Sequence, residues 1–146
     1  PEFHPFDEMT RPGGAVDALV AARDRGDIGH IGLAGGDVHE MARYLELGVF
    51  DVLLVHNRWT VVDRSAGALI VRALELGVGV MNAAVLGGGI LADRTGAQTS
   101  YGYRPASATT LTAIAEMRHL CDRWGTDLAS VAVRFSTRDE RIASTI

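Results

Sequence analysis

The spacing of apolar positions alternates along the chain between a helical and a strand-like pattern. From Ala15, the residues Val16, Leu19, Val20 and Arg23 fall at i, i+3, i+4 and i+7 with alanines between them. That spacing predicts a helix running to about Arg25, with Gly26 as its C-cap. Residues 28–34 (Ile-Gly-His-Ile-Gly-Leu-Ala) are short, apolar and bounded by glycine, as a buried strand should be. The unit then repeats. Asp37 is placed to cap a helix carrying Val38, Met41, Ala42 and Leu45 and closed by Gly48, and residues 50–55 (Phe-Asp-Val-Leu-Leu-Val) form a second strand. Asp63 or Ser65 caps a third helix with Ala66, Leu69, Ile70 and Ala73, closed by Gly77 and followed by a strand at residues 78–84. After Gly87-Gly88-Gly89 comes a long polar loop through Tyr101, Tyr103 and Pro105. A long helix over about 108–124 turns Leu111, Ile114, Ala115 and Cys121 inward; Gly125 breaks it, and Asp127 starts a shorter helix with Leu128, Val131, Ala132 and Phe135. A fourth strand begins near Ile142. Residues 1–8, with two prolines, read as a loop, and Pro12-Gly13-Gly14 as punctuation.

The order αβαβαβαα(β) implies an α/β fold with right-handed crossovers and a parallel sheet. An open doubly wound sheet satisfies it, and so does part of a (β/α)8 TIM barrel, which normally takes about 250 residues. The regular helix-to-strand turns do not choose between the two.

Composition narrows the function classes. Hydrophobic residues at 47% and charged residues at 22% describe a globular domain, not a disordered chain. The seventeen glycines show no three-residue period, so a collagen helix is excluded. A net charge of -4 argues against a nucleic-acid surface, and no apolar run approaches the roughly 18–20 residues of a membrane span. One cysteine, Cys121, excludes an internal disulfide framework. With no basic, apolar leader at the start, a cytoplasmic location is expected.

In either architecture the chemistry belongs at the C-terminal ends of the strands. Those positions are Ala34-Gly35-Gly36-Asp37, His56-Asn57-Arg58-Trp59 and residues 82–89. Glycines at 87–89 allow backbone N–H groups to approach a phosphate closely, although the spacing matches neither GxGxxG nor a P-loop. A flexible turn reads the same way. His56 is a candidate acid/base or hydrogen-bond donor and Trp59 a candidate stacking platform; the bland reading is a surface loop with one buried tryptophan. His4, His30, His39 and His119 are scattered without zinc-ligand spacing, so no metal site is expected. Cys121 lies on an inward helix face and reads as core. There is no GxSxG elbow. Asp63-Arg64 reads as a helix start with its salt bridge. A lid formed by Tyr101 and Tyr103 is a further option. No base with an orienting partner is visible, so no catalytic residue is assigned.

Four ordered segments resemble the aldo-keto reductase family. Residues 26–32 (Gly-Asp-Ile-Gly-His-Ile-Gly) are similar to its G-K-I-R-x-I-G entry to strand five, and residues 50–64 to its sixth strand with the following Q-x-x-Y-S-L-L-D-R. Residues 77–91 resemble G-I-G-V-x-A-Y-S-P-L-G-x-G-x-L, and residues 111–136 the paired helices before strand eight. Within the family the nearest branch oxidises free sugars and related alcohols, as D-threo-aldose and L-fucose dehydrogenases do.

The resemblance implies a (β/α)8 barrel of which residues 1–146 form the C-terminal half, roughly strands five to eight, cut at both ends. It implies NADP or NAD bound in extended form, hydride transfer to or from a small carbonyl, alcohol or sugar, and a tyrosine acid/base tuned by lysine, aspartate and histidine. That tetrad belongs to strands two to four, and no residue here matches it. The isolated segment is therefore expected to be inactive. By alignment the cofactor contacts fall on His56, where the family often has Gln, and on Ala83, where it usually has an aromatic ring. They continue through Ala84, Val85, Leu86, Gly87 and Gly89. The Ser-Asn pair after strand five aligns with Ala34-Gly35. A half-barrel module that self-associates through its open edges, and a barrel using the glycine loop for a sugar phosphate, are the other readings.

Overall fold

In the computed structural model, residues 3–146 are described. Strands β1 (Gly32–Gly35), β2 (Val52–His56), β3 (Gly79–Ala83) and β6 (Ser144–Thr145) form one parallel sheet in the order β1-β2-β3-β6. Helix α2 (Ala15–Asp24) precedes β1, and α3 (Val38–Leu45), α4 (Gly67–Glu75), α5 (Ala108–Arg123) and α6 (Leu128–Thr137) lie between the strands of this sheet in sequence. Sequential strands that are also spatial neighbours and all parallel match a run of (β/α) barrel units.

Each strand is shorter at its start than its apolar run. Residues 28–31 precede β1 because the Ile31 N–H is taken by the Asp51 carboxylate at 2.8 Å instead of by a ladder partner. Asp37 caps α3 through the N–H groups of His39 and Glu40, and Asp127 caps α6 through Ser130. For α4 the expectation fails: its N-cap is Ala66, with no side-chain bond. Asp63 instead accepts from Ser65 N–H and pairs with Arg58, not Arg64. The Arg64 guanidinium lies over the Phe135 ring.

Two local departures have tertiary causes. Residues 6–10, half inside the expected loop, form helix α1 (Phe6–Thr10). The turn is held by Phe6 packing edge-on against Tyr44 at 4.7 Å, under the Arg43 guanidinium. The polar loop contains a hairpin, β4 (Ser100–Tyr101) and β5 (Arg104–Pro105). The first two residues of the predicted opening loop lie outside the described residues.

The two faces of the sheet differ. Leu33, Leu53 and Val80 lie side by side in register. They pack with Val55 against Met41, Leu45, Leu69 and Ile70 of α3 and α4. On the other face Ala34, Leu54 and Met81 are aligned and remain half-buried or exposed. A second core holds Ile90, Leu91, Ile114, Cys121, Leu128 and Ala132, so Cys121 is core as expected. Ala115, expected inward, is exposed, and Met117 packs in its place. Leu19 is likewise 42% exposed; α2 buries no residue.

Candidate functional site

The strand tips converge. His56 is opposite Ala83 in the β2–β3 register. Asn57 N–H donates to the Ala83 carbonyl at 3.2 Å, and Ala84 N–H to the Ile146 carbonyl at 2.9 Å. These bonds bring the ends of β2, β3 and β6 to one edge. Above β1 and β2 lies a cleft of about 510 Å³ lined by Gly36, Asp37, His56, Asn57, Arg58 and the hairpin residues Tyr101, Gly102, Tyr103 and Arg104, with Phe3 at its margin.

Arg58 is fixed in this cleft. Its Nε donates to the Gly36 carbonyl at 2.7 Å and its Nη1 to Asp63 at 3.2 Å. Burial works to raise Asp63, but bonds from Ser65 and Arg58 outweigh it and hold the carboxyl below its usual range. Asp37 is also held low, chiefly by the Glu40 N–H at the start of α3. The cleft therefore carries both signs of charge. His56 stands half-buried at its floor.

The glycine loop sits beside the β3 tip. Ala84 adopts φ 57°, and Gly87, Gly88 and Gly89 all have positive φ. Gly87 is constrained twice: at φ +61°, a Cβ would also lie 2.6 Å from the Tyr101 ring. Gly89 has nothing within 4 Å of its missing Cβ, so another molecule can come close to the backbone there. Gly87 and Gly89 N–H donate to the carbonyls of Ala84 and Leu86. A phosphate at this loop would meet its open backbone at Gly88 and Gly89, not those two N–H groups. Val85 is 6% exposed and Leu86 packs on the second core, so these two can offer a ligand backbone only.

Trp59 is not a stacking platform. It is 8% exposed, its Nε1 donates to Asp139 at 2.8 Å, and Arg141 grips the same carboxylate while lying over the indole. Asn82 is equally structural: its Nδ2 donates to the Trp59 carbonyl and to Ser136 Oγ, each at 2.8 Å. Tyr101 is bound through its hydroxyl to Thr60 and Asn57, and Tyr103 is 79% exposed at φ 69°. Thr60, Asp139 and Arg141 carry no local signature of their roles, because the contacts that define them, Thr60 with Tyr101 and Asp139 and Arg141 with Trp59, join residues distant in the chain. The one signal for Tyr101 was an aromatic residue in an otherwise polar loop. No group of three or more His, Cys, Asp or Glu suited to a metal ion occurs among the described residues. None of their helices is long and apolar enough to cross a membrane.

Comparison with known proteins decides what this half-open sheet belongs to. Residues 2–146 match the sequence profile of the Aldo/keto reductase family. The chain belongs to the aldo/keto reductase family. One relative is pyridoxal 4-dehydrogenase of Microbacterium luteolum, 29% identical over 144 residues. The match covers 98% of this chain and 42% of the relative, so the chain spans less than half of that protein's length. Four consecutive parallel strands with crossover helices are the corresponding part of an aldo/keto reductase barrel.

Proposed function

We propose that this chain carries the dinucleotide side of an NAD(P)-dependent oxidoreductase acting on a small carbonyl or alcohol. The observation that supports it most directly is the glycine loop at the β3 tip, beside His56, in a chain of this family. When bound, a nicotinamide dinucleotide would accept hydride from an alcohol carbon or, in its reduced form, donate it to a carbonyl carbon. The site suits its phosphates by space, since Gly88 and Gly89 are exposed backbone. At the ring end Ala34, Gly35 and Ala83 have no polar or aromatic side chain, and His56 is left as the polar side chain among the aligned contact positions.

His56 would be the side chain placed to orient the ring by a hydrogen bond. Of the aligned stretch from Ala84 to Gly89, the open backbone at Gly88 and Gly89 would let phosphates approach closely, while Gly87, buried under Tyr101, shapes the loop. The hairpin over the cleft limits water. Tyr101 cannot serve as the acid/base: its proton is donated to the Asn57 carbonyl, and burial pushes its pKa up. The proton-transfer group is expected on further strands that close the sheet.

Two substrate classes are in view. The family resemblance favours an aldose or related sugar alcohol. The name of the relative favours an aromatic aldehyde such as pyridoxal. The cleft carries Arg58, Arg104 and Asp37 and no apolar wall apart from the tyrosines and Phe3, which favours a hydroxylated substrate. The test is steady-state turnover of NADP and NAD by the full-length protein against aldoses, sugar alcohols and pyridoxal. Turnover of an aldose above pyridoxal supports the sugar reading; turnover of pyridoxal alone removes it; no turnover of either nucleotide with any of them removes the oxidoreductase reading. The 146 residues alone are expected to show none above a buffer blank. Should they instead self-associate through the free edges of β1 and β6, light scattering of the isolated segment would show a defined dimer.

A further inference from the structure

We propose that Tyr101 is a positioning residue: its hydroxyl and ring clamp the glycine loop at residues 87–89 to the β2-tip loop at residues 57–60, and so set how tightly the site holds a dinucleotide. The proposal rests on the dinucleotide reading above for its ligand, but the clamp itself is visible without it.

The hydroxyl closes a chain of hydrogen bonds whose direction is fixed. The N–H groups of Val62 and Asp63 donate to Thr60 Oγ1 at 3.2 and 3.1 Å. The Tyr101 hydroxyl donates to the Asn57 carbonyl at 2.9 Å. Its single proton is thereby committed, so at the 2.8 Å contact Thr60 Oγ1 is the donor and Tyr101 the acceptor. Thr60 is completely buried, which leaves its hydroxyl no solvent alternative.

The ring does the second half. Its Cε2 and Cδ2 edge occupies the space where a Cβ on Gly87 would stand, at 2.6 and 2.7 Å. Tyr101 and Gly87 are therefore complementary: the tyrosine fits because residue 87 has no side chain. One side chain thus touches both loops that carry the aligned dinucleotide contacts.

The hairpin needs such a fastening. Gly102 lies over the side chain of Asn57 at 3.5–3.7 Å. Asn57 is 3% exposed, has φ 58°, and neither its Nδ2 nor its Oδ1 has a partner among the described residues. Covering an unpaired carboxamide costs free energy that opening the hairpin returns. The hydroxyl bonds of Tyr101 offset that cost.

The experiment uses the full-length protein and its variants Tyr101→Phe and Tyr101→Ala. Hydrogen exchange is followed at amides 57–60 and 87–91 without nucleotide, NADPH affinity by fluorescence, and kcat and KM by turnover. Tyr101→Phe, which keeps the ring, should speed exchange in both segments and raise the Kd and KM for NADPH about 5- to 10-fold, the loss of one or two net hydrogen bonds. Its kcat should stay within about twofold, because the hydroxyl moves no reacting proton. Tyr101→Ala should do more, in the same direction; if it does not fold, the phenylalanine variant decides. Unchanged exchange in Tyr101→Phe overturns the clamp, and so does a fall in kcat at constant KM, which would make Tyr101 a proton donor. If the wild type binds neither NADPH nor NADH, the dinucleotide reading fails. The exchange result then still decides the clamp: acceleration upholds it and no change removes it.

Discussion

The two faces of the sheet share a backbone and have different fates. Leu53 and Val80, on the helix side, are fully buried; Leu54 and Met81, one residue on in each strand, are only half covered. Because side chains alternate across a strand, neighbours in sequence report on opposite faces. The helix side is a finished core. The other side is apolar, incomplete, and flanked by free edges on β1 and β6 among the described residues. A half-covered apolar face with free edges favours further packing, and the barrel of the family supplies what would cover it. The candidate site lies at the rim of this open face, at the C-terminal ends of β2 and β3.

The largest effect expected from this contrast is at Leu53. Leu53→Ala should cost about 2–5 kcal/mol in denaturant unfolding, as for a fully buried leucine. Leu54→Ala should cost about 1 kcal/mol or less in the 146-residue segment, and rise toward the Leu53 value in full-length protein. Equal costs in the segment would break the contrast between faces. Next is Gly87→Ala, where the left-handed backbone alone costs about 1–2 kcal/mol. Displacement of the Tyr101 ring should add to that, and pairing the substitution with Tyr101→Ala should recover the added part.

A smaller change is expected at Asp139, the shared partner of Trp59 and Arg141. Asp139→Ala leaves a buried indole N–H unpaired and should cost about 1–3 kcal/mol. Arg141, opposed by burial, holds this carboxyl below its usual range. Its stabilisation is therefore full above an unfolded carboxylate pKa of about 4 and is lost as pH falls through the lower folded value. Acid unfolding of the variant should be correspondingly flatter in that window. The smallest effect belongs to Asp93, an exposed carboxylate whose bonds from Gln98 and Thr95 lower it to about 2. Asp93→Asn should leave stability at neutral pH nearly unchanged and remove a slight loss between about pH 4 and 2, readable by thermal melts at several pH values.

The same contrast explains what was legible in the residues. Strands such as β2 and β3 announce themselves because local apolar runs flanked by glycine are enough to mark them. Strand order and parallel pairing follow from the alternation with helices. The dense run at 56–59 also stood out, but its roles did not. Trp59 looks like a stacking surface until Asp139, eighty residues away in the chain, is seen to hold its N–H. Tyr101 looks like a loop aromatic until Thr60 and Gly87 are placed beside it. Helix α1 is hidden for a similar reason: residues 6–10 have weak helical patterning, and it is Tyr44 and Arg43 that make a turn there favourable. Long-range polar pairing has no local period, so no spacing in the chain reports it.

The dinucleotide reading proposed above places a nicotinamide dinucleotide on the loop at residues 84–89, with His56 at the ring end. Titration of full-length protein with NADPH, followed by nucleotide fluorescence, tests it most directly when Gly89→Asp is measured in parallel. Gly89 is exposed and open, so the substitution adds a negative charge where the phosphates would lie, although its φ of +97° carries a backbone cost that thermal melts must show to be tolerated. Saturable binding with blue-shifted emission is expected in the wild type, and at least a tenfold weaker Kd in a folded variant. Equal affinity in a folded Gly89→Asp protein, or no binding by the wild type, would contradict it.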